Sequence, residues 1–406
     1  MIVGTGQAGF QTAASLRSEG YAEPITLIGE EPHIPYNRPP LSKGFVLGKQ
    51  DAESIELRPV NFYKTHQINL LCGERVERIS RAEKQIEIAS GGSLSYDSLV
   101  LAVGARNRRL PVPGGDLDGV LYLRSLAEAI FIKKRIEEAK EIVVVGGGFI
   151  GLELAAVAST LGKSVTVIEA LPRTMARVVA PIISEFFHEL HTSRGVKIIC
   201  GANVSEIRGA AGCVKAVVVS DGSVFPADLV LVGIGVVPNI ELARDAGLVI
   251  SNGIAADEYL QTEDNDIYAI GDCVEYPNAF AGERVRLESV QNAADQAQCV
   301  AKTIAGRATK YNSLPWFWTD QYEIKLQMAG ISAGHDRVVT RGNAEARKLS
   351  VFYFRNGKLI AVDSINRPVD HMIGRKLIAS RASLSPEEAA DENVDLKRIP
   401  TDPYVH

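Results

Sequence analysis

Two segments of the chain share one order of apolar, small and acidic positions. In each, a short apolar run leads into Gly-x-Gly-x-x-Gly and a helix-periodic stretch, and a second apolar run then ends at an acidic residue. The first copy runs from Ile2 to Glu30 and the second from Ile142 to Glu169, about 140 residues later. This order predicts a strand, a turn, a helix and a second strand in each copy. The chain is therefore predicted to contain two dinucleotide-binding domains.

The glycines of such a turn have distinct physical roles. The first permits the tight turn, the second lets the backbone approach a pyrophosphate, and the third lets helix and strand pack closely. The helix N-terminus offers N–H groups to the phosphates, and the acid accepts hydrogen bonds from a ribose. An ordinary glycine-rich connection is the alternative for either copy alone. The candidate residues are Gly4, Gly6, Gly9 and Glu30, then Gly146, Gly148, Gly151 and Glu169.

The second acid also bears on which nicotinamide cofactor is bound. Glu169 would repel a 2′-phosphate, so the second site is expected to prefer NADH to NADPH. Arg173 and Arg177 follow closely in sequence. They would either weaken this preference or lie on the solvated surface.

Glycine- and proline-rich stretches divide the chain. They lie at 110–115 and 233–239, and a further buried strand ending in Gly-Asp at 266–272 suits the first domain better than a new one. We predict an FAD-binding domain over 1–111 and 234–312, with an NADH-binding domain over 112–233 inserted in it. A small α+β domain is predicted over 313–406.

Two features characterise the C-terminal region. Strand-like runs flank Asn356-Gly357, a pair that is typical of a hairpin with a type I′ turn. The tail after Ser383 is acidic and poor in large apolar residues. We therefore expect a hairpin followed by a loosely packed extension.

Composition and charge exclude several classes of protein. The chain has 406 residues, of which 46% are hydrophobic and 23% charged, as in globular proteins. Its net charge of -5 argues against nucleic acid as a partner. Its apolar stretches fall short of the ~20 residues of a membrane span, and no signal peptide is visible. The five scattered cysteines suit a reducing cytoplasm.

The cysteines and histidines limit the chemistry further. Two dinucleotide sites predict one bound FAD and one exchanging NADH, with hydride transfer between them. No Cys-x-x-Cys is present, twelve residues separate Cys200 from Cys213, and residues 35–43 contain no cysteine. Each cysteine is read as a small buried hydrophobe, so electrons are expected to leave the flavin for an external acceptor. His188 and His191 share a helix face, but no third metal ligand accompanies them, and we predict no metal site.

At this point the residues match a known family. The chain resembles the FAD-dependent, NADH-linked ferredoxin reductases of bacterial oxygenase systems, of the putidaredoxin reductase type, over nearly its whole length. The resemblance implies an α/β fold with two Rossmann-like domains of the glutathione-reductase type and a small α+β C-terminal domain. Besides the two glycine fingerprints, it rests on residues 35–43 (PYNRPPLSK), 233–239, 271–272, 288–290 and 315–321 (PWFWTDQ).

The resemblance also implies roles for individual residues. Lys43 resembles the family lysine beside flavin N5, with Glu153 as its carboxylate partner and Trp318 near the flavin on the ferredoxin side. These three are the candidate catalytic residues, and Trp316 is a weaker candidate. Further FAD-binding positions are implied at Arg38, Ala102, Asp272 and Val290, and Ile150 is implied to contact the nicotinamide. In this family, three residues before the glycine turn are few, which leaves two interpretations: a short leader is missing ahead of Met1, or the numbering starts late.

The implied reaction is NADH:ferredoxin oxidoreduction that supplies a monooxygenase or dioxygenase. The partner would be a [2Fe-2S] ferredoxin, expected to be acidic because residues 313–380 hold ten Lys or Arg and six Asp or Glu. The candidate docking residues are Lys325, Arg347, Lys348, Lys358, Arg375 and Lys376. Three alternatives on the same fold remain open: a cysteine-dependent disulfide or peroxide reductase, an NADH oxidase, and a signalling flavoprotein resembling apoptosis-inducing factor.

Overall fold

A computed structural model describes residues 1–401 and divides them into two compact units built from interleaved segments. The first unit comprises Met1–Asn37, Glu53–Arg106 and Val237–Phe317. The second comprises Arg38–Ala52, Asn107–Val236 and the chain from Trp318 onward. The predicted domain boundaries stay a prediction, and the last five positions of the domain predicted over 313–406 lie outside the described residues.

Six of the helices in the described chain have 12 to 15 residues, and three have five or six. They are α1 (Gln7–Ser18), α2 (Val60–Thr65), α3 (Leu126–Glu138), α4 (Phe149–Thr160), α5 (Pro181–Thr192), α6 (Glu241–Asp245), α7 (Val290–Ile304), α8 (Pro368–Ala379) and α9 (Pro386–Ala390). Short 3-10 helices span Pro39–Ser42, Gly271–Cys273 and Leu396–Arg398. Within residues 1–401, no helix is long and apolar enough to cross a membrane.

The strands occur singly or in runs between these helices, and the last five follow one another without a helix between them. Those up to residue 145 are β1 (Ile2–Val3), β2 (Ile25–Gly29), β3 (Ile68–Cys72), β4 (Val76–Ser80), β5 (Gln85–Ile88), β6 (Ser93–Ser95), β7 (Leu99–Leu101), β8 (Ala105–Asn107), β9 (Val120–Tyr122) and β10 (Glu141–Val145). The next are β11 (Ser164–Glu169), β12 (Lys197–Cys200), β13 (Val204–Ala210), β14 (Cys213–Val219), β15 (Val224–Pro226), β16 (Leu229–Val232), β17 (Val236–Pro238), β18 (Ile254–Ala255), β19 (Ile267–Ala269), β20 (Val274–Asn278) and β21 (Glu283–Val285). The last are β22 (Trp316–Gln321), β23 (Ile324–Gly330), β24 (Arg337–Asn343), β25 (Lys348–Arg355) and β26 (Lys358–Ile365).

The first unit is organised around a five-stranded parallel sheet in the order β19-β7-β1-β2-β3. Ile2 of β1 lies between Leu27 of β2 and Val100 of β7, and all three side chains are buried. Parallel strands covered on both faces require such continuous apolar runs. From β1 the strand order continues to β2 and β3 on one side and to β7 and β19 on the other. The crevice beyond the carboxyl ends of β1 and β7 is therefore the topological switch point, where ligands bind in such sheets.

The second unit repeats this arrangement. Its parallel sheet has the order β12-β11-β10-β16-β9, with β10 between β11 and β16. Its switch point therefore lies beyond the carboxyl ends of β10 and β16. The repeat that the sequence predicted is present, since β10, β11, β12 and β16 are ordered as β1, β2, β3 and β7 are, and only the fifth strand, β9 or β19, comes from a different place in the chain.

The second unit also contains an antiparallel sheet in the order β22-β23-β26-β25-β24, and α8 packs on β26 and β23. The turn between β25 and β26 places Asn356 at φ 51° and Gly357 at φ 71°. Positive φ angles at both positions define the predicted type I′ hairpin. The α+β character of this region is as predicted.

The expectation of a loosely packed tail is wrong for the described residues. Leu384, Ala389 and Leu396 are all buried. The buried Arg341 guanidinium donates hydrogen bonds to the carbonyl oxygens of Asp391 and Val394, at 2.5 and 2.9 Å. A few small apolar anchors and one arginine bound to main-chain carbonyls hold the segment, and composition alone does not reveal such contacts.

The cysteine prediction needs one correction. All five cysteines are free, and Cys273 and Cys299 are buried as expected. Cys72 and Cys200 are half-buried, whereas Cys213 is exposed at the start of β14. Cys213 occupies the end of a hairpin whose outward positions face solvent, so it is not a core residue.

Candidate functional site

The first glycine turn forms a cradle at the switch point of the first unit. Gly4 adopts φ +117°, and a Cβ there would overlap the carbonyl group of Ala102, the residue that follows β7. A Cβ on Gly9 would overlap the carbonyl oxygen of Gly4. Around Gly6, in contrast, no heavy atom of the described residues lies within 4 Å of the Cβ position, and none of their side chains caps the N-terminus of α1. Open space beside uncapped N–H groups fits the pyrophosphate of a dinucleotide.

The second turn has the same construction in the second unit. Gly146 adopts φ +107° against the carbonyl of Gly233, which follows β16, and a Cβ on Gly151 would overlap the carbonyl oxygen of Gly146. Gly148 faces open space and caps α4 without a side-chain bond. Ile150, in the first turn of α4, is 44% exposed, which is unusual for isoleucine and leaves an apolar surface at this end of the helix.

The acid of the second turn is fixed by the backbone. The Glu169 carboxylate accepts hydrogen bonds from the N–H groups of Gly147 at 2.6 Å and Leu171 at 2.8 Å. This holds the charge beside the turn, where a ribose would lie. Glu30, at the corresponding place after β2, is exposed. The ribose contacts of both acids stay predictions.

The two arginines near Glu169 differ in their surroundings. The Arg173 guanidinium donates to the carbonyl oxygens of Val179 and Ala176, at 2.8 and 2.9 Å, and to Ser184 Oγ at 2.6 Å. It therefore fixes its own loop. Arg177 is exposed. Of these two arginines, Arg177 is therefore the one whose side chain is accessible to a phosphate.

A buried ion pair forms a separate feature inside the second unit. Lys43 follows the 3-10 helix Pro39–Ser42, and its Nζ lies 2.8 Å from Glu153 Oε1 on α4. The Glu153 side chain is 2% exposed, whereas that of Lys43 is 21% exposed. The lysine therefore reaches from the protein surface to a carboxylate in the interior.

Two hydroxyl groups complete the surroundings of this carboxylate. Thr319 Oγ1 donates to Glu153 Oε1 at 2.6 Å, and Ser42 Oγ donates a short hydrogen bond to Oε2. Burial raises the pKa of the Glu153 carboxyl, and the Lys43 ammonium and the two hydroxyls act against that rise. Both carboxylate oxygens thus have donors, as a buried charge requires.

Sequence reasoning did not assign Ser42 and Thr319 to this site. Both lie in the selective segments 35–43 and 315–321, next to Lys43 and Trp318. Their position in those segments was the available signal. Whether a hydroxyl meets a carboxylate depends on the packing of three distant stretches of chain, which periodicity does not specify.

The other predicted residues occupy defined positions. Arg38 Nη1 donates to the carbonyl oxygen of Arg124 at 2.5 Å. Asp272 lies in the 3-10 helix Gly271–Cys273, where its carbonyl oxygen accepts from Arg286. Val290 is the first residue of α7. Of the FAD-binding candidates, Arg38 and Lys43 belong to the second unit and the rest to the first.

Trp318 and Thr319 point to opposite faces of β22, because side chains alternate along a strand. Thr319 is buried and Trp318 half-buried. The Trp316 N–H donates to Gln291 Oε1 at 3.0 Å, within the first unit. The alternation leaves Trp318 on the more accessible face, and its proximity to flavin stays a prediction.

His191 is part of the interior. Its Nε2 lies 2.8 Å from Gln321 Oε1, and the ring is fully buried on α5. Within residues 1–401, no group of three or more His, Cys, Asp and Glu side chains is arranged to hold a metal ion.

Comparison with known proteins places the chain in a class. The model of the pyridine nucleotide-disulphide oxidoreductase family matches residues 1–297, and that of the reductase C-terminal domain matches residues 316–400. The chain belongs to this pyridine nucleotide-disulphide oxidoreductase family. It is an FAD- and NAD(H)-dependent oxidoreductase.

Individual relatives are similar along the whole chain. Rhodocoxin reductase of Rhodococcus erythropolis is 49% identical over 397 residues, which cover 98% of this chain and 93% of the relative. The ferredoxin reductase for the CYP199A2 system of Rhodopseudomonas palustris has 47% identity and a TM-score of 0.96, with 98% of each chain covered. Putidaredoxin reductase in its covalent complex with putidaredoxin has 42% identity and a TM-score of 0.95, with coverage of 98% and 96%. The resemblance to putidaredoxin-type reductases and the predicted fold class are confirmed.

Proposed function

We propose that the protein is an NADH:ferredoxin reductase that passes electrons singly from FAD to a [2Fe-2S] ferredoxin serving a monooxygenase or dioxygenase. When bound, FAD accepts a hydride from NADH and releases its electrons one at a time. The glycine turn after β1 would hold the FAD pyrophosphate, and that after β10 would hold NADH. The relatives named above, reductases of rhodocoxin, putidaredoxin and a ferredoxin, support this proposal.

The observation that carries the proposal is which residues stand at positions 35–43. These positions contain no cysteine that could act as a redox thiol, and Ser42 and Lys43 there are bonded to Glu153. The five cysteines are free and separated in sequence. Electrons would therefore pass to an external acceptor. Free cysteines also suit a reducing compartment, which supports a cytoplasmic location.

An anaerobic titration of the FAD-loaded protein with NADH tests the proposal. We expect full bleaching of the flavin absorbance at two electrons per FAD, followed by reoxidation on addition of a [2Fe-2S] ferredoxin. Uptake of four electrons per FAD would instead reveal a thiol centre and a disulfide reductase. Rapid peroxide formation in air, without ferredoxin, would indicate an NADH oxidase, and slow flavin reduction with a long-lived charge-transfer complex would favour a signalling flavoprotein.

Cofactor preference provides a second test. We expect Glu169→Gln to improve the kcat/KM ratio of NADPH to NADH about tenfold, because the charge facing a 2′-phosphate is removed while the amide oxygen still accepts one of the two N–H groups, of Gly147 or Leu171, that hold Glu169. The measurement is steady-state reduction of ferricyanide with each cofactor. Glu185→Gln, at an exposed position of α5, is the matched control. An unaltered ratio would remove Glu169 from the ribose site.

The acidity of the ferredoxin is inferred from the charges around Trp318. Lys325 pairs with Asp320 at 3.7 Å, and Asp320 shares the accessible face of β22 with Trp318. Arg347 and Lys348 lie at the same end of the sheet, since Asn366 bonds both the Lys325 N–H and the Arg347 carbonyl. Lys358 begins β26 at the opposite end. The six candidate docking residues thus do not form one patch. We propose that the ferredoxin docks at the end of the sheet that carries Lys325, Arg347 and Lys348.

Charge reversal distinguishes the two ends of the sheet. Lys325→Glu is expected to lower the ferredoxin on-rate about tenfold at low salt and to flatten its salt dependence, because surface charges act mainly on encounter. Lys358→Glu is the matched control and is expected to leave both unchanged. Stopped-flow reduction of the ferredoxin at several salt concentrations provides the rates. Equal effects of the two variants would show that net charge, not a docking face, governs encounter.

A further inference from the structure

A line of buried hydrogen bonds extends from Glu153 into the second unit. Thr319 Oγ1 donates to Glu153 Oε1 at 2.6 Å. Gln321 Nε2 lies 3.5 Å from Thr319 Oγ1, and Gln321 Oε1 lies 2.8 Å from His191 Nε2. The four side chains are at most 2% exposed. They connect α4, β22 and α5 into one polar path through an otherwise apolar interior.

The chemistry of these groups fixes the direction of every bond. An ionised Glu153 accepts only, so the Thr319 hydroxyl must donate to it. The hydroxyl oxygen then accepts from the Gln321 amide nitrogen, and the amide oxygen accepts from the imidazole. This direction requires the neutral His191 tautomer that carries its proton on Nε2. Among residues 1–401, His191 Nδ1 has no hydrogen-bond partner, as an unprotonated ring nitrogen permits.

We propose that Thr319, Gln321 and His191 are positioning residues, which hold the Glu153 carboxylate ionised and oriented toward Lys43. The proposal rests on the proposed function in one respect, namely that the Lys43–Glu153 pair acts at the flavin. Its content lies elsewhere, in three residues to which the proposed function gives no part. Through them, the C-terminal sheet contributes to the charge state of a helix in the nucleotide-binding part of the chain.

The free-energy cost of burying these polar side chains indicates that they do more than fill the interior. A buried polar chain is generally less stabilising than apolar side chains of the same volume, and half-satisfied members are expensive. Burial lowers the pKa of His191 to about 4, so the ring stays neutral at physiological pH and supplies a dipole rather than a charge. Each donor turned toward Glu153 offsets part of the desolvation that raises the pKa of its carboxyl. Besides these donors, Lys43 and Ser42 are the polar groups that face Glu153.

The first test determines the tautomer of His191 and does not depend on turnover. In FAD-loaded protein labelled with 15N-histidine, one imidazole should show protonated Nε2 and bare Nδ1 from pH 5.5 to 8.5. The His191→Phe variant assigns that signal among the seven histidines. A protonated Nδ1, or a ring that titrates within this range, would reverse the path and overturn the proposal.

The second test uses near-isosteric variants and the pH dependence of flavin reduction by NADH, followed anaerobically without ferredoxin. Thr319→Val should move the acidic limb of the rate profile upward by about one pH unit, since loss of a donor raises the pKa of the carboxyl. Gln321→Met removes the donor to the Thr319 hydroxyl and should move the limb in the same direction by a smaller amount. Thr319→Ser keeps the donor and should restore the wild-type profile. A purely structural role would lower the unfolding midpoint of Thr319→Val and leave the limb in place.

The half-reaction separates this proposal from the proposed function. If flavin reduction behaves as described but no ferredoxin is reduced, the function is wrong and the positioning path stands. If ferredoxin is reduced normally while Thr319→Val and Gln321→Met keep the wild-type pH profile, the positioning path fails and the function stands. Should Thr319→Val not fold, Gln321→Met and the His191 tautomer decide the matter.

Discussion

Replacing Lys43 by methionine is expected to slow the reduction of bound FAD by NADH about 100-fold, with FAD still bound. The change removes the ammonium 2.8 Å from Glu153 and keeps a side chain of similar length. Preorganised charges at a reacting centre typically contribute 10²–10³ in rate. Burial already raises the pKa of the Glu153 carboxyl, so without its cation the carboxyl takes up a proton. One substitution therefore removes both charges of the pair.

Anaerobic stopped-flow measurement of flavin bleaching gives the rate directly. Lys49→Met, at an exposed position in the same part of the chain, is the matched control and should reduce at the wild-type rate. Glu153→Gln should fall between the two, because it leaves the ammonium in place without its counter-charge. If Lys43→Met bleaches as fast as the wild type, the ion pair has no part in hydride transfer and serves only to connect segments of the second unit.

The ion pair also shows where sequence reasoning reaches its limit. Gly4 and Gly146 were predictable because a positive φ angle and contact with the neighbouring strand admit no side chain. Lys43 and Glu153 were named only through a resemblance, since nothing in their local patterns brings residues 110 positions apart together. Sequence reasoning could not predict the hydrogen bonds of Ser42, Thr319 and Gln321, because they depend on rotamers that tertiary packing fixes.

The C-terminal region gives the complementary lesson. The Asn356-Gly357 hairpin is encoded by two adjacent residues, and the structure contains it. The tail appeared loose because its anchors are few, yet Arg341 binds its carbonyl groups from a strand some fifty residues earlier. Local backbone preferences can be predicted from adjacent residues. The hydrogen bonds of one arginine that is distant in sequence, in contrast, hold a segment that its composition predicted to be loosely packed.

Asp363 is a second buried carboxylate, with no cation bonded to it among residues 1–401, and it should add a pH dependence of its own to stability. Asp363 on β26 is 2% exposed, and the Tyr353 hydroxyl donates to its Oδ2 at 2.5 Å. The same hydroxyl oxygen accepts from the N–H of Ala180 at 3.0 Å. Burial raises the pKa of Asp363 to about 7, well above its ordinary value of 3.8. The folded protein therefore keeps a proton that the unfolded chain has released between about pH 4 and 7.

The contribution of Asp363 to the free energy of unfolding should consequently fall as the pH rises through that window and level off above pH 7, whereas the lowered pKa of His191 acts in the opposite direction. Asp363→Asn retains an acceptor for Tyr353 and removes the charge, so it should flatten this dependence and stabilise the protein by about 2–4 kcal/mol at pH 8. Near pH 4 the two proteins should be equally stable. Urea unfolding followed by circular dichroism at both pH values measures this, with Glu345→Gln at an exposed position as the matched control. Equal stability of wild type and Asp363→Asn at pH 8 would mean that water or main-chain donors already satisfy the ionised carboxylate.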